Sequence, residues 1–224
     1  MNDNVVNKKN FLSQVTKIVK TNIRNIIILF SLCFVLFLSF QIYSFYISNI
    51  IQKNSISFFA AQNTDDTNII KDTFLKLSED NTFYGVLANL ELIDLNLKQN
   101  KIQDSISMYQ EVINKNNLDT VYKSAIASKA SYQFIDINLE DLSADYSNII
   151  NNFISYVDDE ADSYKGIKLE LEYLTKILEV EKNNIDYSSF NEANDIYINI
   201  MNSDFASSTL KERVNKIHEF YINK

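Results

Sequence analysis

Apolar residues recur three and four positions apart through most of this chain, which is the spacing of a single helix face. Residues 54–78 carry Ile70, Phe74 and Leu77 in this way, either as a continuation of what precedes them or after a break near QNTDDTN (62–68). At 82–98 Leu87, Leu90, Leu92, Ile93, Leu95 and Leu97 are apolar nearly all round, as in a helix covered on several sides. A short KQNK turn leads to a helix at about 102–114, and another runs from Thr120 to about Ile135 with Tyr122, Ile126, Ala130 and Phe134 at spacing four. In that helix Ala125, Ala127 and Ala130 leave room for a close neighbour.

The pattern predicts a further helix from Leu142 to Tyr156, then the charged connector DDEAD (158–162), whose carboxylates suit the positive end of the next helix. That helix covers about 164–181 on the stripe Ile167, Leu171, Leu174 and Leu178 and is broken by NNID. The next covers about 188–202. The last opens on a capping-box pattern, Thr209-x-x-Glu212, and presents Leu210, Val214, Ile217 and Tyr221. Connections this short make successive helices antiparallel neighbours.

One spacing repeats. Ile102, Ser105, Tyr109 and Val112 stand in a 3-4-3 pattern, and Phe190, Ala193, Tyr197 and Ile200 repeat it: large, small, aromatic, aliphatic. Tyr146, Ile149, Phe153 and Tyr156 form a poorer copy with a bulky residue at the small position. A small residue lets the preceding helix approach, and the aromatic fills the gap to the next pair. These residues are therefore expected to be packing positions of a helical repeat.

A different pattern precedes the helices. Residues 26–46, IIILFSLCFVLFLSFQIYSFY, carry no charge, and a helix needs about 20 such residues to cross a bilayer. Tyr43, Phe45 and Tyr46 suit the headgroup layer at the far end. Lys8, Lys9, Lys17, Lys20 and Arg24 lie before the run against Asp3, and only Lys53 follows closely. That bias keeps a short basic segment, residues 1–25, in the cytoplasm and sends 47–224 outside. The run exceeds a signal-peptide core and lacks a nearby A-x-A site, so an uncleaved anchor is expected over a cleaved leader. No cysteine follows it in position for lipid attachment.

Composition adds three points. The chain has no proline and two glycines, a shortage that favours helices over turn-rich sheets. Its single cysteine, Cys33, lies in the apolar run and reads as an inert thiol. From residue 47 onward 16 Lys and Arg face 28 Asp and Glu, an acidic balance that repels nucleic acid.

Chemistry is sparse. The only histidine, His218, reads as a surface or boundary packing residue, since one histidine without a nearby cysteine builds no zinc site. Gly85 and Gly166 stand alone and form no phosphate loop. Asp158 and Asp159 read as a solvated connector, without the central glycine of a calcium loop. No catalytic residue, cofactor or metal site is expected, and the chain does not read as an enzyme.

The segment QNKIQDSISMYQEVINKNN resembles the second helix of a tetratricopeptide repeat, with Ser105 at the small position, Tyr109 at the aromatic one and Val112 at the second small one; Leu92 matches the leucine of the helix before. Ile93, Asn89 and Asn117 depart from the small residue, the aromatic and the terminal proline of that repeat. The whole order, a basic N-terminus, one anchor, a helix with FFAAQ, then FYGVLANLELIDL and the repeat, resembles the YfgM-like family of tetratricopeptide-like proteins. That resemblance implies a single-pass protein of the bacterial inner membrane with a periplasmic helical domain, ancillary to the Sec translocon and handing emerging proteins to periplasmic chaperones. The expectation is thus an all-α chain: a transmembrane helix, then an antiparallel tetratricopeptide-like domain over 47–224 that binds proteins. The alternatives are a scaffold subunit of another envelope or secretion assembly, and a soluble periplasmic binding module after cleavage.

Overall fold

The computed structural model describes the backbone of residues 3–115, 118–158 and 162–224; the side chains of residues 3–19, Ile26 and Ser189 are outside the description. The expectations placed on Lys8, Lys9, Lys17, Asn117 and Asp159 therefore fall outside the described residues. Among those residues the regular secondary structure is helical and contains no strand. The chain divides into two units, Met1–Thr73 with Thr82–Tyr84, and Phe74–Asn81 with Gly85–Lys224.

The first unit is dominated by α1, Asp3–Gln62, a helix of 60 residues and about 90 Å. It is long and apolar enough to cross a bilayer, and its most apolar stretch buries no residue. Leu29, Phe30, Phe34, Phe37, Phe40 and Phe45 are all more than half exposed. Cys33 is a free, exposed thiol on the same stretch. The helix breaks at neither end of the apolar run. It stops at Gln62, and Asp66 caps the next helix by accepting from the backbone N–H of Asn68 at 2.9 Å. Both readings of 54–78 were thus half right: 54–62 continues α1, and α2, Thr67–Ser78, follows the break. Beyond the apolar run, Asn54 Nδ2 donates to Thr82 Oγ1 at 3.2 Å, and the Phe58 and Tyr84 rings meet at 5.8 Å.

The second unit holds α3 (Phe83–Lys98, from Gly85 on), α4 (Ile102–Ile113), α5 (Thr120–Glu140), α6 (Ser147–Ser155), α7 (Asp162–Asn183), a 3-10 turn at Tyr187–Ser189, α8 (Asn191–Asn202) and α9 (Ser208–Ile222). Each of α5, α7 and α9 packs on the helix before it, α5 and α7 also pack on the helix after, and α7 packs on both α5 and α9. Two cores result. Ile93, Tyr109, Ile126, Phe134, Phe153 and Leu171 centre the first. Tyr173, Ile177, Ala193, Ile200 and Val214 centre the second. Helix α7 serves both: Leu171 and Leu178 point to the first, Tyr173, Ile177 and Val180 to the second.

With glycine scarce, asparagine ends the helices. Asn100 (φ 59°) and Asn184 (φ 50°) take the left-handed conformation, which Asn tolerates best after Gly. Behind them Lys101 N–H reaches Asn96 O at 2.9 Å and Ile185 N–H reaches Val180 O at 3.0 Å, the 6→1 bonds of Schellman closures. The two glycines serve close approach instead. A Cβ on Gly85 would lie 2.1 Å from Asp80 O, and one on Gly166 2.6 Å from Phe205 O.

Three expectations need correcting. The helix expected from Leu142 begins at Ser147. The buried Asn138 amide donates to Asp141 O and Ala144 O at 3.2 and 2.8 Å and accepts from Tyr146 N–H, which holds 141–146 as a loop. In α6 Ile150, Phe153 and Ile154 are buried, followed by Val157 beyond the helix; Tyr146 and Ile149 pack at the edge of the same core, whereas Tyr156 is exposed and leaves it. Helix α9 is capped by Ser207, which accepts from Leu210 N–H at 3.2 Å, and not by Thr209; Glu212 pairs with Lys216 at 2.7 Å.

Candidate interaction face

The residues expected at packing positions are placed as follows. Leu92, Ser105, Tyr109, Val112, Ala193 and Ile200 are buried. Ile102 packs at the edge of the first core, and Phe190 and Tyr197 at the edge of the second. Ser105 Oγ donates to Lys101 O at 3.0 Å, so the hydroxyl is satisfied inside its own helix and behaves as a small residue. The two sets lie in different cores. They do not form parts of one site.

Polar side chains, which the apolar spacing did not reveal, join the odd helices. Asp94 of α3 takes Lys129 Nζ at 2.7 Å and Gln133 Nε2 at 3.0 Å, both from α5. Tyr109 of α4 donates to Gln133 Oε1, and burial pushes that phenol up. One helix on, the fully buried Glu170 of α7 accepts from Tyr132 of α5 at 2.5 Å and from Nε and Nη2 of Arg213 on α9. Burial, then the Glu170 bond, push the Tyr132 hydroxyl up; the same carboxylate raises Arg213. A planar guanidinium meeting a carboxylate with two donors is the strong form of such a pair. The sequence did contain a signal. Glu170 stands three residues after Ile167 and four before Leu174, and Arg213 three after Leu210 and four before Ile217, so each places a charge on an apolar stripe.

Between α6, α7 and α8 lies a cleft of about 590 Å³. Ile154, Leu178 and Ile196 form its aliphatic part, and Asn151, Thr175 and Asn183 add amides and a hydroxyl. Ion pairs edge it: Lys182 with Asp145 at 2.8 Å, and Lys176 with Glu192 at 2.5 Å and Glu179 at 3.1 Å. The hydrogen bond from Lys182 pulls the Asp145 carboxyl down to about 2, and the bond that Lys176 donates to Glu192 raises Lys176. Chemically the cleft offers contact to one or two aliphatic side chains and hydrogen bonds to a peptide backbone.

His218 is buried and not at the surface. Its Nδ1 lies 2.6 Å from the Tyr187 hydroxyl, and its ring stacks on Tyr197 at 3.6 Å between centroids. Among the described residues no group of three or more His, Cys, Asp or Glu side chains is placed to hold a metal ion.

Comparison with known proteins finds no family model, no curated protein and no solved structure that matches this chain. Its functional reading therefore rests on the helices and faces described above.

Proposed function

We propose that the chain is a membrane-anchored protein-interaction module of tetratricopeptide type, acting on the periplasmic side of a bacterial inner membrane beside the Sec translocon and its chaperones. The observation that carries this reading is the serial pairing of helices from α4 onward, in which α5 packs on α4, α6 and α7, and α7 on α6, α8 and α9. Stacked helix pairs of that kind supply grooves and extended faces for other polypeptides rather than a reaction centre. The odd helices begin at Phe83, Thr120, Asp162 and Ser208, at intervals longer than the 34 residues of the standard repeat, and on this reading the units are enlarged versions of it. Anchoring through residues 26–46 supports the reading further, because confinement to a membrane raises the effective concentration of neighbouring membrane proteins and lets modest contacts suffice.

The test is recovery of partners from native membranes with the full chain and with a chain whose residues 26–46 are replaced by an unrelated apolar helix. Translocon or chaperone subunits bound by both forms place the specificity in the helical domain; loss on replacement places it in the membrane helix. A stable complex of unrelated envelope proteins instead would make the chain a scaffold subunit and end the translocon reading.

A further inference from the structure

The buried hydroxyls behind His218 impose a direction on its hydrogen bond. Tyr173 of α7 is fully buried, and its hydroxyl has Tyr187 as its one hydrogen-bond partner among the described residues, at 3.0 Å. A buried hydroxyl hydrogen needs an acceptor, so Tyr173 donates to Tyr187. Tyr187 must then donate onward, and the atom 2.6 Å away is His218 Nδ1. The imidazole is thereby held neutral, with its hydrogen on Nε2. The ring also stacks within 5° of parallel on Tyr197 of α8, whose hydroxyl donates to Asn215 of α9 at 2.7 Å.

We infer that His218 is a proton-operated latch for helix α9, closed when the imidazole is neutral and loosened when Nδ1 takes a proton from solvent. The protonated ring can only donate at Nδ1. Tyr187 must turn to accept, its own hydrogen turns towards Tyr173, and the Tyr173 hydrogen is left without an acceptor in the core. The groups around the ring are Tyr187 from the 3-10 turn, Tyr173 behind it from α7 and Tyr197 from α8. From α9 itself come Glu219 and Tyr221, the latter bonded to Glu181 of α7. Glu219 is the carboxylate that acts on the ring, and it already accepts from Asn215 Nδ2 at 2.8 Å. Stacking on Tyr197 favours the cation, but it does not restore the broken chain of hydroxyls.

Burial lowers the His218 pKa below its ordinary value of 6.5, against a smaller opposing effect of Glu219. The sign follows from that direction. The unfolded chain binds the proton more readily, so the latch contributes fully above 6.5 and its contribution falls as pH drops from there through the folded pKa. The latch rests on this network alone and not on the proposed role.

His218 is the only histidine, so its imidazole gives a single NMR signal set in the full chain held in nanodiscs with any affinity tag removed. The expected result is an Nε2–H tautomer at neutral pH and a titration midpoint below 6.5, moving upwards in Tyr173→Phe, which removes the stranded hydroxyl. Hydrogen exchange of the α9 amides, corrected for intrinsic rates, should speed up between pH 7.5 and 5.5, by at most about tenfold, because pH 5.5 lies one unit below the ordinary pKa. His218→Asn, which keeps an acceptor but does not titrate, should abolish that response. An Nδ1–H tautomer, a midpoint at or above 6.5, unchanged α9 protection in acid, or an acid response that persists in His218→Asn would each overturn the latch.

Discussion

Glu170 and Arg213 are the pair on which single substitutions should act most sharply. Glu170 is fully buried, whereas about half of the Arg213 side chain is exposed. Removing the cation strands the carboxylate. Arg213→Met is expected to cost about 3 kcal/mol, at the low end of the range for breaking a buried pair because water reaches one side of the guanidinium. Adding Glu170→Gln should restore much of that loss, since Gln keeps an acceptor for Tyr132 and removes the uncompensated charge. Glu170→Gln alone should destabilise. Urea melts of the three variants check this, and a double variant no more stable than Arg213→Met would show that the pair is not coupled. These residues were legible only in part. A charge on an apolar stripe signals burial with a partner, but the partner lies 43 residues away and no local spacing identifies it. His218 was harder still: its partners come from three different elements, and a histidine beside an apolar stripe does not say which way it faces.

At the scale of the element, most helices followed from the apolar period, and the misplaced boundaries share a cause. The start of α6 is set by the Asn138 side chain, which takes three backbone groups that a helix from Leu142 would have used itself. The start of α9 is set by Ser207, where Thr209 offered an equally plausible capping pattern. Side-chain competition of this kind does not alter hydrophobic periodicity. Close approach is likewise invisible to it. Gly166 is where α7 meets the α8–α9 connection, so Gly166→Ala is expected to destabilise by about 1–3 kcal/mol despite the better helix propensity of Ala. A gain in melting temperature would show that the connection yields freely. Ala193 has no exposed surface, and Asn194 beside it is exposed. Ala193→Leu should cost about 1–3 kcal/mol by overpacking and Asn194→Leu much less. Equal costs in thermal melts would remove the packing role assigned to the 3-4-3 pattern.

For the whole molecule, orientation and partner are the open consequences. Under the proposed function residues 47–224 lie outside the cytoplasm, the side that the basic residues before the apolar run favour. A reporter fused after Lys224 that is active only in the cytoplasm should therefore stay silent, and strong activity would reverse the orientation and with it the periplasmic role. Under the proposed function the helical unit binds another polypeptide beside the export machinery, and the cleft between α6, α7 and α8, with its aliphatic and amide lining, is where that binding is tested. The most direct measurement places a photo-crosslinking residue at Asn151, in that cleft, or at Glu212, an exposed position on α9, in the full chain in native membranes. The account expects adducts with identified translocon or chaperone subunits, or with exported polypeptides, from Asn151 and few from Glu212. Absence of such adducts from Asn151, or equal yields from both positions, would contradict it.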